Sequence, residues 1–71
     1  MALWIARSTK EGTYRLEFTN FATGKTFCCG ESEPGLSERG LLAWIVTEGD
    51  PGDLIVLDGA LFQFLPREQR A

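Results

Sequence analysis

Hydrophobic and polar side chains alternate most clearly in residues 13–21, where Tyr14, Leu16 and Phe18 are interleaved with Arg15, Glu17 and Thr19. A period of two places the first set on one face of a strand and the second on the other. Residues 2–9, which include Trp4 and Ile5, and residues 25–30, Lys-Thr-Phe-Cys-Cys-Gly, read as two more strands. Lys10-Glu11-Gly12-Thr13 and Asn20-Phe21-Ala22-Thr23-Gly24 supply turns between them. Connections this short join antiparallel neighbours, so these three strands are expected to form a meander.

The period then changes. Glu31 to Gly35 breaks the sheet, and Ser37 followed by Glu38 is a helix start, with a side-chain cap and an acid at the positive end of the dipole. Leu36 and Leu41 stand where a hydrophobic staple would close over that cap. At 100° per residue, Leu41, Leu42, Ile45 and Val46 share one side with Trp44 at its flank, while Arg39, Ala43 and Thr47 point away. Gly49 as the C′ residue and Pro51 beyond it end the helix.

Asp53 to Leu65 reads as a hairpin turning at Asp58-Gly59. A two-residue loop pairs Leu57 with Ala60, Val56 with Leu61, Ile55 with Phe62 and Leu54 with Gln63. Pro66 stops the strand, and residues 67–71 are a polar tail expected to fray. The expected fold is one α+β domain over residues 1–66: two layers, an antiparallel sheet packed on one helix, in the order β-β-β-α-β-β. Phe62 and Phe64 carry the larger apolar area, so Ile55, Leu57, Phe62 and Phe64 are assigned to the core beneath the helix. Leu54, Val56 and Leu61 then form the outer face.

Composition narrows the chemistry. The chain has 71 residues, 44% hydrophobic and 24% charged, which suits a single small globular core. No apolar run approaches the ~18 residues of a membrane helix, and the start of the chain lacks the basic lead of a signal peptide. A cytoplasmic protein without a membrane partner is expected. There is no histidine, so the serines lack an imidazole base and the cysteines lack a companion ligand. Cys28 and Cys29 are adjacent, which is too close for ordinary disulfide geometry. Free thiols are expected, one in the core and one at the surface. Glu48, Asp50, Asp53 and Asp58 lack the ligand spacing of a calcium loop, and no glycine stretch has phosphate-loop spacing. No enzyme activity, cofactor or metal is expected.

Charge is unevenly spread. Residues 31–66 carry seven acidic side chains against Arg39 alone, within a net charge of −3. No basic stripe is visible, so direct nucleic-acid binding is not expected. The acidic span, with Glu31, Glu33, Glu38, Asp50 and Asp53, is one candidate contact surface for a basic partner. The closing hairpin is the other. A half-covered strand pair should alternate apolar and polar positions, yet this pair is apolar on both faces. Leu54, Val56 and Leu61 must be covered by a loop of this chain or by another chain.

The segment Leu54-Ile-Val-Leu-Asp-Gly-Ala-Leu-Phe-Gln-Phe-Leu-Pro-Arg-Glu-Gln69 resembles the closing strand-turn-strand-Pro segment of small phage-encoded anti-CRISPR proteins, over about a quarter of the chain. The architecture and the acidic character are similar too. The resemblance implies no shared catalytic residues. It implies a mode of action in which the protein occludes a surface of a host nucleoprotein complex, in the host cytoplasm. Two alternatives stand beside that expectation. One is a structural or assembly protein that homodimerises through its C-terminal hairpin, and the other is a small nucleic-acid-binding regulator using the basic N-terminal strands.

Overall fold

The computed structural model describes residues 1–64. Its elements are β1 (Ala2–Ser8), β2 (Tyr14–Asn20), β3 (Lys25–Glu31), α1 (Glu38–Glu48), β4 (Leu54–Leu57) and β5 (Ala60–Gln63). The α+β class and the chain order β-β-β-α-β-β are as expected. Leu65, Pro66 and the 67–71 tail lie outside the described residues.

The sheet departs from expectation in one respect. It is mixed, with spatial order β3-β2-β1-β4-β5, because β4 lies parallel to β1 while every other pairing is antiparallel. The helix is the reason. In an antiparallel meander β3 runs in the same direction as β1, and α1 carries the chain back to the end where β1 began. β4 therefore starts beside the start of β1 and must run with it, Leu3 opposite Leu54 and Ala6 opposite Leu57. A crossover through a helix is the ordinary way to join parallel strands.

The hairpin register is the expected one, from Leu57↔Ala60 to Leu54↔Gln63. Asp58 and Gly59 have φ of 46° and 87°, the two left-handed residues of a type I′ turn. Asp58 also ties the turn to β1: its Oδ1 accepts from the Ser8 N–H at 2.8 Å and from the Ser8 hydroxyl at 3.1 Å.

Ser37 caps α1, its hydroxyl accepting the Gly40 N–H at 3.1 Å. At the other end Gly49 has φ −94° and ψ 177°, so it is extended and its smallness matters for another reason. A Cβ there would lie 2.6 Å from Phe64 Cε2 and 2.9 Å from Asp53 Oδ2. The helix end therefore sits directly on the chain that leaves β5.

The core holds Trp4, Ala6, Leu16, Leu41, Ile45, Ile55, Leu57 and Phe64, with Tyr14, Phe18, Leu36, Leu42 and Phe62 packed against it. The helical face is narrower than its apolar residues suggest. Leu41 and Ile45 are fully buried, Leu42 is half-buried, and Val46 is exposed. Trp44, edge-on to Trp4 with ring centroids 6.1 Å apart, is 42% exposed. Phe62 is only half-buried, and Phe64 is the more deeply buried of the two hairpin phenylalanines.

The thiols also differ from expectation. Both Cys28 and Cys29 are exposed and free. β3 is an edge strand, and all seven of its residues are exposed. One helix, about 10 Å across, cannot cover a five-stranded sheet whose strands are ~4.8 Å apart. The β2–β3 pairing also shifts, Glu17 facing Cys28 and Leu16 facing Gly30, which leaves Cys29 as the extra residue of a bulge.

Candidate functional site

Register determines what the helix-free face presents. Leu3, Leu54 and Gln63 stand side by side across β1, β4 and β5, and Ile5, Val56 and Leu61 form the next row. Leu54, Val56 and Leu61 therefore lie on the outer face, as their hairpin alternation implies. Leu3 and Ile5 join them from β1. Four of these five side chains are half-buried by their neighbours, and Leu61, on the edge strand, is 67% exposed. The five make one apolar patch with no layer of described residues over it.

Polar groups bound that patch on the β2 side. Ile5 faces Glu17, and Leu3 faces Thr19. In the next row Arg7 and Arg15 are directly opposite each other, and both are exposed. Like charges directly across a strand pair repel. A carboxylate or other anion brought alongside would relieve that repulsion.

The acidic span does not form one surface. Glu31, Glu33, Glu38 and Asp50 are exposed, but Glu31 and Glu33 stand before the helix and Asp50 after it. Asp53 belongs to the interior, at 1% exposure. One carboxylate oxygen accepts the Ala2 N–H at 2.8 Å. The other accepts the Trp4 indole N–H at 3.2 Å and the Asp50 N–H at 3.0 Å. The Asp53 carbonyl takes the Phe64 N–H at 2.9 Å. Asp53 thus joins the start of β1, the loop after α1 and the end of β5, and it is withdrawn from the candidate contact residues. Every buried polar side-chain atom among the described residues has a partner.

The helix-side face has a feature that sequence reasoning missed. Because α1 leaves β3 uncovered, two clefts of about 320 and 390 Å³ lie along the helix, and Cys29 and Trp44 line both. Although Cys29 is exposed overall, the cleft walls partly desolvate its thiol, and this, with the neighbouring Cys28 second, holds it above its ordinary pKa. Phe27, 51% exposed, stacks on Phe18 with ring centroids 6.4 Å apart. The available signal was geometric: one helix against five strands leaves part of the inner face bare.

Among the described residues no three His, Cys, Asp or Glu groups gather as a metal site, and no helix is long and apolar enough to cross a membrane. Comparison with known protein families, characterised proteins and solved structures finds no match to this chain.

Proposed function

We propose that this protein is a small non-enzymatic binding module whose helix-free sheet face covers a surface on a larger partner. The observation that carries the reading is the run of Leu3, Ile5, Leu54, Val56 and Leu61 across three adjacent strands. Isolated exposed leucines are ordinary, whereas contiguous apolar patches rimmed by polar groups mark contact sites. Arg7 and Arg15 beside the patch favour a partner that pairs an apolar surface with carboxylate or phosphate groups. A host nucleoprotein complex offers both, and it is the partner implied by the resemblance to anti-CRISPR proteins. The sheet face measures about 20 Å by 20 Å from strand spacing and rise. A standard interface buries ~800 Å² per partner, so this face would form the centre of the contact and the surrounding loops its rim.

A second reading, homodimerisation through the C-terminal hairpin, is favoured by the position of β5 at the sheet edge with Leu61 exposed on it. Sedimentation of the purified chain separates the two readings. The binding-module reading predicts a monomer at micromolar concentration. It also predicts a partner that is retained by the wild-type chain and by Arg39→Glu on the helix exterior, but lost with Val56→Lys. A concentration-dependent dimer that Val56→Lys abolishes would replace the first reading with the second.

A further inference from the structure

The clefts beside the helix lie on the opposite side of the sheet from the patch above, and they have their own chemistry. Their shared walls are Trp44 from α1 and Cys29 from β3. Between these walls an aromatic series crosses the sheet. Trp44 meets Trp4 at 6.1 Å, Trp4 meets Phe18 at 4.7 Å, and Phe18 meets Phe27 at 6.4 Å. The two outer members of the series, Trp44 and Phe27, are 42% and 51% exposed. Large aromatics half-open on both walls of a groove are poor surface residues unless something apolar lies between them.

Charge indicates what that occupant is. Glu31 and Glu33 line the cleft near the start of the helix, and Glu48 lines the one near its end. Among the described residues no Lys or Arg lines either cleft, and Lys25, the basic residue of β3, is absent from both walls. The helix between these acidic ends has 11 residues, about 16 Å at ~1.5 Å each. An extended chain covers that distance in about five residues. β3 is also a sheet edge, so its outward backbone groups are free to pair with an added strand.

We infer that the groove between α1 and β3 is a second binding site, taking an extended peptide segment of a partner protein. The segment lies along β3, places an apolar side chain between Phe27 and Trp44, and carries Lys or Arg about two residues to either side. Those cationic side chains meet Glu33 at one end and Glu48 at the other. This site goes beyond the sheet-face reading and does not depend on it.

The test titrates the full chain with acetyl-Lys-Thr-Phe-Thr-Arg-amide, which contains no Trp, and follows the tryptophan fluorescence and the amide chemical shifts. Saturable binding is expected below about 1 mM, with shifts concentrated in β3 and α1. Raising the salt should weaken it several-fold. The control acetyl-Glu-Thr-Phe-Thr-Glu-amide should bind at least ~10-fold more weakly, a difference of about 1.4 kcal/mol. Phe27→Thr, which keeps a strand-forming residue at an exposed position, should also weaken binding by about 10-fold. The double variant Glu33→Gln/Glu48→Gln should remove most of the salt dependence while leaving the melt unchanged. Leu61→Glu, on the other face, should bind the peptide like the wild type. Equal binding of the basic and acidic peptides, shifts confined to the outer face, undiminished binding by Phe27→Thr or no saturation at about 1 mM would overturn the inference.

Discussion

Replacing Asp53 by Ala removes the acceptor on which three chain segments converge. The Ala2 N–H and the Trp4 indole N–H, both buried, lose their partners at 2.8 and 3.2 Å, and the part-buried Asp50 N–H loses one at 3.0 Å. A buried donor left without an acceptor costs about 1–3 kcal/mol. The Asp50 N–H can recover water, so its loss is set at about 0.5–1.5 kcal/mol. The total is about 2.5–7.5 kcal/mol. A chain of this length has about 4–10 kcal/mol of stability in all, so the variant should lose at least about a quarter of it and, at the upper end, unfold. Urea unfolding followed by the fluorescence of Trp4 and Trp44 is a suitable assay. For a slope near 1.5 kcal/mol per molar, the midpoint should fall by ~1.7 M or more. Asp53→Asn keeps one acceptor oxygen but turns an amide N–H₂ toward donors, so its midpoint should fall between the other two. A loss below about 1 kcal/mol in Asp53→Ala would refute the role given to this carboxylate, and Asp53 would return to the list of surface acids.

Other expectations follow from the same contacts. Phe64→Ala should cost about 3–5 kcal/mol and Phe62→Ala less, because Phe64 is 5% exposed and packs on Gly49 whereas Phe62 is half-buried; paired urea melts check the order. Asp58→Ala should lose about 1–2 kcal/mol, since it forces alanine to φ 46° and removes both Ser8 contacts; a thermal melt measures it. Alkylation of Cys29 should keep accelerating above pH 9.0, and Cys28→Ser should move its midpoint down by removing the neighbouring charge that opposes a second thiolate. A midpoint unchanged in Cys28→Ser, read by mass spectrometry across a pH series, would leave burial as the sole cause.

Much of this fold is legible in the residues because local chemistry decides it. Asp58-Gly59 specifies a type I′ turn, and that turn alone sets which hairpin residues pair and which share a face. Ser37 states the helix start, and Tyr14, Leu16 and Phe18 state which side of β2 is dry. The parallel pairing of β1 with β4 is a different kind of fact. Both strands are apolar, and nothing local distinguishes a parallel neighbour from an antiparallel one; the length and direction of α1 decide it. That pairing recruits Leu3 and Ile5 to the candidate surface, so two of the five patch residues were hidden with it. Asp53 misleads for a related reason. An acid in a Pro-Gly loop reads as solvated charge, and only the approach of Ala2 and Trp4 from some fifty residues away makes it an interior group. Cys28 and Cys29 alternate as strand residues should, but a side chain is buried only where something covers it, and α1 does not reach β3.

The helix-free face as a contact surface is tested most directly by Leu61→Glu, measured for both melting and partner association. Leu61 is 67% exposed and contributes little to the core, so the isolated chain should melt within a few degrees of the wild type. At a buried contact the new carboxylate would be desolvated without a partner, and association should fall at least ~30-fold, about 2 kcal/mol. Association unchanged in a folded Leu61→Glu chain, or an isolated chain that unfolds, would contradict the assignment of this face.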